Sequence, residues 1–421
     1  PQDVALDAAG NIYITDSLNH RVRMVSPPSA SLTGLMAQSD IAFTEESGIG
    51  HIMSSAGHHQ KTIDLDTGVP HYEFGYDEDN NLVTITDRFG NRITIERQNG
   101  VPTAIVSPDG IRTQLTIDDN NHLIAITYPD GSNYGFEYTA DGLELNKTQP
   151  KGNQFAHIFD EHGRLTDVTD AAGGHWQFSR IVQEDATVLY EKLTAEGDLT
   201  SYLDEDSSSG SYTSTITDPS SAVTVHKGSD DGLTRTIDAA CGTHVELNYD
   251  VHPDYKFKYV RESTETTPDG LKRIMLRGNT YADTDLDDIP DLITQDLTVN
   301  GKNTTLVHNT LQSQKIVTST EGRTVTLTYD PQTLLTTRLQ IPGLRDTTFG
   351  YDTRGRIETI TTDTRQTLFA YEDDPSGHKI TVIDARGFQT VYEIDPVDRL
   401  RLIQRPDGGS VGFDYDDNGN M

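Results

Sequence analysis

With 66 acidic against 33 basic side chains among 421 residues, and a net charge of −33, this chain is no partner for nucleic acid or for an anionic membrane surface, since both recruit Lys and Arg and would repel it. One cysteine, Cys241, excludes an intrachain disulfide, and no apolar run approaches the roughly 20 residues that span a bilayer as a helix. The apolar share of 34% is low, yet 18 Tyr and 12 Phe recur at regular spacing, which argues for β structure with two wet faces rather than for disorder.

In chain order, Asp7-Ala8-Ala9-Gly10-Asn11-Ile12-Tyr13-Ile14-Thr15-Asp16-Ser17-Leu18-Asn19-His20-Arg21-Val22 resembles one NHL repeat, the unit of a β-propeller blade. A single blade cannot close a propeller, so residues 1–26 are expected to be the truncated last blade of one. Residues 27–60, with Pro27-Pro28 and many Ser and Gly, read as a linker. His51, His58 and His59 fall close together there, but without Cys or a periodic pattern to fix them they make a poor metal set.

From residue 61 a unit of two short strands repeats. Its first turn falls at Asp77, Arg97, Asp118, Thr139 and Asp160, in steps of 20, 21, 21 and 21 residues, and a second turn ends at Gly90, Gly110, Gly131, Gly152 and Gly173 in the same steps. Between turns, apolar and polar residues alternate, as in Arg92-Ile93-Thr94-Ile95-Glu96, the period of a half-buried strand. In Phe159-Asp160-Glu161-His162-Gly163-Arg164-Leu165 the Asp carboxylate can accept the backbone N–H two residues on, and Gly163 can take a positive φ. The aromatics Tyr76, Tyr138, Phe159, Tyr329, Tyr351, Tyr371, Tyr392 and Tyr415 are expected to lie over neighbouring hairpins as a ladder, each contact adding roughly 0.5–1.5 kcal/mol beyond its buried area. A residue that recurs once per repeat is placed by packing rather than by one active site. Tyr76 with Asp77, Tyr329 with Asp330 and Tyr351 with Asp352 and Gly355 are therefore read as structural.

Gly350-Tyr351-Asp352-Thr353-Arg354-Gly355-Arg356-Ile357, the Asp160 turn, and the Pro129-Asp130-Gly131 and Pro406-Asp407-Gly408 turns resemble the YD repeat of the Rhs family, which includes bacterial Rhs proteins, toxin-complex C components and teneurins. The resemblance covers residues 61–180 and 320–421. It implies an all-β fold, a spiral of antiparallel hairpins forming part of a hollow shell over residues 61–421, and a secreted or cell-surface setting.

Between about residues 181 and 320 the 21-residue register fades, so an irregular stretch of longer strands and loops is expected before it returns at Tyr329-Asp330. Within it, Asp283, Asp285, Asp287 and Asp291 occupy positions 1, 3, 5 and 9 of a loop, hard oxygen donors of the kind that suit Ca²⁺. The loop resembles the Asp-rich calcium loops of thrombospondin type 3 repeats and dockerins. It departs from the related EF-hand pattern at Asp288, where Gly is usual, and at Thr294, where a bidentate Glu is usual. It reads either as a calcium site or as a solvated acidic turn, and no other cofactor is required.

For catalysis there is no Gly-x-Ser-x-Gly elbow, no His-Glu-x-x-His and no phosphate-cradling Gly-Lys-Ser/Thr, so the chain is not read as an enzyme. Many Rhs relatives cleave themselves at a separate terminal core, whose signature Asp395-Pro396 matches only in its first two residues. Because Asn418-Gly419-Asn420-Met421 stop inside a turn, the chain is expected to be a piece of a longer protein. Its partners would then be the rest of that protein: propeller, further repeats and a C-terminal cargo such as a toxin domain. The resemblance also allows an adhesion or carbohydrate-binding module of teneurin type, with a cell-surface or glycan receptor as partner.

Overall fold

The computed structural model describes residues 40–184, 187–207, 209–286 and 290–421, together with the strands Val4–Leu6, Ile12–Asp16 and Arg21–Val25. Those three strands form a small antiparallel sheet of their own, with Val4 opposite Ile14 and Ile12 opposite Val25. From Ile41–Thr44 to Ser410–Gly412, 34 antiparallel strands follow one another in a single sheet, and no helix occurs among the described residues. Contacts divide the chain into two compact units. The first comprises Pro1–His59, Ile63–Gly68 and His175–Thr324, the second Gln60–Thr62, Val69–Gly174 and Val325–Met421.

The second unit shows how sequence makes the hairpin. At Asp352 the backbone N–H donates to the Arg356 carbonyl at 2.9 Å and the Gly355 N–H donates back to the Asp352 carbonyl at 3.1 Å. Gly355 has φ +81°. This is a type I turn closed by a left-handed residue, with a bulge where the register shifts between Gly350 and Tyr351. The Asp352 carboxylate completes the turn by accepting the N–H groups of Arg354 and Arg356, both at 2.9 Å, an Asx-type bond that satisfies donors the ladder leaves over. Glycine is needed at 355 twice over, since a Cβ there would also meet the Phe89 ring at 2.6 Å. Asp77 and Asp160 build the same turn, with Asn80 (φ 64°) and Gly163 (φ 75°) in the left-handed position.

The repeating tyrosines tie neighbouring strands through their hydroxyls. Tyr138, Tyr351, Tyr371 and Tyr415 donate to the carbonyls of Leu123, Thr336, Ile357 and Leu400 at 2.7–2.9 Å. Each carbonyl belongs to the first residue of the preceding strand, so the ring spans its own hairpin and the polar tip is satisfied. Tyr329 is 6% exposed. Phe159, which has no hydroxyl, packs 6.5 Å from the His157 ring.

Two expectations change. Arg97 is not in a turn: it lies in the strand Arg92–Gln98, and the chain reverses at Asn99-Gly100, both at positive φ (53° and 82°), a two-residue turn that needs no Asp. Residues 41–60 are not a linker, for Ile41–Thr44 and Ile49–Met53 are paired strands and Ile52 is 1% exposed. Ile52 joins Ile63 and Leu65 in a buried cluster against which Tyr255 and Phe257 pack, and a Cβ on Gly50 would come within 2.7 Å of Leu65. The stretch from 181 to 320 is regular in pairing. Some of its strands are longer, as expected, with 9 residues in Lys258–Thr266 and 11 in Lys272–Ala282, which moves the turns off the 21-residue register.

If the tyrosine hydroxyl bond contributes as a typical intramolecular hydrogen bond, Tyr351→Phe should lower stability by about 1 kcal/mol and Tyr351→Ala by about 3 kcal/mol. Denaturant unfolding of both variants beside the parent checks this, and equal midpoints for Tyr351→Ala and the parent would remove the tyrosine from the stabilising contacts.

Candidate functional site

Within the second unit, turns of residues 69–174 meet turns of residues 325–421 along a seam of charged and amide side chains. Its first side carries Arg88, Asp109, Asp130 and Lys151, spaced by 21 residues and each at a turn tip. Arg88 Nη1 donates to the Thr333 carbonyl at 2.7 Å. Arg354 inserts between two turns, donating to Asn91 Oδ1 at 2.9 Å and to the carboxylates of Asp109 and Asp373, while Asn91 Nδ2 donates to the Arg354 carbonyl at 3.0 Å. Further along, Arg399 Nη2 reaches Asp130 Oδ2 at 2.9 Å, Lys151 pairs with Asp416, and the Lys151 N–H donates to Asn418 Oδ1 at 3.0 Å.

Arginines four residues after the turn residues Asp352 and Asp395 couple the seam to the repeat. Arg356 and Arg399 donate through Nε to Asp352 and Asp395 at 2.8 and 2.7 Å and place their guanidinium groups 4.1 and 5.0 Å from the ring centroids of Tyr371 and Tyr415. A stacked, bidentate role of this kind suits Arg and not Lys. One residue thus links its own turn to the next tyrosine and, at Arg399, to a turn 269 residues away. Around Asp373, burial pushes the carboxyl up, but hydrogen bonds and charge from Arg356 and Arg354 outweigh it and hold the group below the ordinary aspartate range. Arg354 is held protonated chiefly by its bond to Asp109. Asp109, Asp373 and His378 bring ligand-type atoms within 4.8 Å of one another, yet Arg354 and Arg356 already supply the positive charge that this cluster needs.

In the first unit, Asp283, Asp285 and Asp291 also bring carboxylate oxygens within 4.8 Å of one another, while Asp287 lies outside the described residues. Asp291 is 5% exposed and organises the loop: its carboxylate accepts the Thr284 N–H at 2.6 Å, the Thr284 hydroxyl at 2.7 Å and the Asp285 N–H at 3.2 Å. The Thr284 hydroxyl bond is the main reason the Asp291 carboxyl sits below its ordinary value. Asp283 accepts the Leu286 N–H at 2.7 Å. His51 bonds Glu45 at 3.1 Å and packs edge-on to His59 at 5.2 Å.

The family model described as teneurin YD-shell matches residues 49–421, and the NHL repeat model matches residues 1–23. The chain belongs to the teneurin YD-shell family. Teneurin-3 of Mus musculus is 32% identical over 201 residues, which take in 47% of this chain and 7% of that protein. Teneurin-4 of Homo sapiens is 28% identical over 221 residues, 52% of this chain and 8% of that one. The chain thus spans only a small part of the length of these relatives. Among solved structures, TcdB2-TccC3 without its hypervariable C-terminal region aligns over 97% of this chain and 26% of that chain, at 10% identity and a TM-score of 0.46. No helix among the described residues is long and apolar enough to cross a membrane.

The YD motif of this shell thus acquires a second meaning. Sequence reasoning placed its Asp, Gly and Tyr but missed the seam, whose one available signal was the charged tip at every twenty-first residue from Arg88 to Lys151. Removing Arg354 as Arg354→Met leaves Asp109 without its cation and Asp373 with Arg356 alone, a loss of about 2 kcal/mol for a partly exposed network. The sign with pH follows from linkage. Asp373 has a lowered folded value, held down against burial by Arg356 and then by the charge of Arg354, so its contribution is present above the unfolded value near pH about 4 and fades as pH falls through the folded one. Arg354→Met should therefore melt well below the parent at pH 7, and the gap should narrow as pH is taken below about 4. A gap as wide at pH 3 as at pH 7 would count against the ionic seam.

Proposed function

We propose that this chain is a wall segment of a hollow YD shell that encloses or displays another part of a longer protein, with a C-terminal toxin domain as the kind of cargo, in a secreted or cell-surface setting. The observation that carries this reading is the seam. A one-layer sheet of hairpins is a ribbon unless something fixes one part of it to another, and the ion pair from Arg354 to Asp109 joins residues 245 apart in sequence. The role is structural and asks for no catalytic group. In the full-length protein, the segment that follows should resist protease in the parent and become cleavable in an Arg354→Met, Arg399→Met double variant. Equal cleavage of both would argue against enclosure. A second reading, a teneurin-like adhesion or carbohydrate-binding module, is favoured by exposed aromatics such as Tyr72 and Phe388, 49% and 52% accessible. Retention on a glycan array or on cells, lost on Tyr72→Ser or Phe388→Ser, would support it over the first.

The acidic loop adds a ligand to this proposal: calcium shared by Asp283, Asp285 and Asp291, with Asp287 as a further donor. The three carboxylates within 4.8 Å support it, since like charges at that distance repel unless a cation lies between them. Calcium should raise the unfolding temperature by mass action and chelator should lower it, and Asp285→Asn should blunt both responses. Magnesium should do less, because it keeps its waters and demands a tighter octahedron. An absence of calcium heat in titration calorimetry, with an unchanged melting curve, would leave a solvated acidic turn.

A further inference from the structure

A second site lies in the first unit, where the long strands of residues 272–318 present alternate side chains to a cavity of about 300 Å³, at the small end of the range for small-molecule pockets. Cross-strand register builds its floor: Tyr281 faces Ile293, Ile293 faces His308 and His308 faces Lys315, with Asn279 and Gln295 one rung along. The turn from His252 to Phe257 forms a wall. His252 is 4% exposed and its ring lies 4.8, 4.8 and 4.5 Å from those of Tyr255, Phe257 and Tyr281. Its Nδ1 accepts the N–H groups of Asp254 and Tyr255, both at 3.1 Å, so the neutral ring carries its proton on Nε2. Burial favours that neutral form and pushes the Tyr281 hydroxyl up to about 12, so the wall keeps one charge state across the physiological range. The wall is pinned by the Tyr255 hydroxyl, which donates to the Leu65 carbonyl at 2.6 Å.

Most polar groups lining the cavity are already matched. Arg277 pairs with Glu46 at 2.7 Å and lies over the Tyr259 ring, and His308 pairs with Asp66 at 2.9 Å. Two groups are not. The Asn279 amide lies beside the Tyr259 and Tyr281 hydroxyls, while its Oδ1 is buried without a hydrogen bond, which native proteins seldom tolerate because the lost solvation is not recovered. Lys315 has no ion-pair partner among the described residues, in a chain whose net charge is −33. A ligand that fits must therefore bring a hydrogen-bond donor to Asn279, an anionic oxygen to Lys315 and an apolar edge to Tyr255, Phe257 and Tyr281. Hydroxyls, a carboxylate and C–H faces on one small ring are the chemistry of a sugar acid.

We propose that this cavity binds a carboxylated monosaccharide, or the end of a chain of them, with the carboxylate on Lys315 and a ring hydroxyl donating to Asn279. The site does not depend on the shell reading, since it asks nothing of what the protein encloses. Titration calorimetry of the full chain with D-glucuronate, with D-glucose as the ring lacking the charge and D-lactate as the hydroxy acid lacking the ring, tests it. Glucuronate should bind at least about tenfold more tightly than either control, and Lys315→Met and Asn279→Leu should each weaken it by at least about tenfold. Melting curves keep the variants interpretable: without ligand both should unfold cooperatively as the parent does, while glucuronate should raise the melting temperature of the parent alone. The proposal is overturned if glucuronate gives no heat at tens of millimolar, if glucose or lactate matches it, or if both variants bind as the parent does.

Discussion

A single layer of antiparallel strands has no second layer against which to hide its apolar side chains, and that lack governs how this molecule is held together. Domains ordinarily bury a sheet face under another sheet or a helix. Here the described residues fully bury little beyond Ile52 and Ile63, and most strand positions are half-exposed. Stability must then come from contacts between neighbours, as in other repeat arrays, and from points where the ribbon meets itself. The Asx-stapled turn, the tyrosine hydroxyl on the preceding strand and the charged seam are three answers to one deficit. Each uses polar chemistry where a globular core would use methyl groups.

The large acidic surplus takes on a different look in this light. Many of the aspartates are backbone ligands rather than surface charge: Asp77, Asp118, Asp160, Asp352, Asp395 and Asp416 each accept the N–H groups two and four residues on. At Asp77, Asp118, Asp160, Asp352 and Asp416 these donors help to hold the carboxyl below its ordinary value. The few arginines are correspondingly concentrated in their effect. Arg354, Arg356 and Arg399 each contact two or more acidic residues, so a chain with half as many cations as anions still closes its network.

The two units use the same hairpin differently. In the second, short strands keep a turn at every tenth or eleventh residue and so keep charged tips in phase for the seam. In the first, strands of 8 to 11 residues lose that phase but gain enough length to place several inward residues side by side, and it is there that the cavity around Asn279 and His308 forms.

Much of the fold was legible from residue types alone, because a turn is decided within five positions: Asp to accept, Gly or Asn to go left-handed, alternation to set the two faces. That much determined an all-β repeat of YD type, with the turn from Asp352 to Gly355, and put Asp283, Asp285 and Asp291 on one loop. Only the tertiary structure decided which turns meet. Whether Asp109 finds Arg354, 245 residues later, depends on twist and strand length summed over every hairpin between them, and no local pattern carries that sum. The same holds for Ile49–Met53, which reads as part of a Ser- and Gly-rich linker until Ile63 and Leu65 cover Ile52, and for Asn279 and Lys315, ordinary strand residues until two neighbouring strands and a turn close around them.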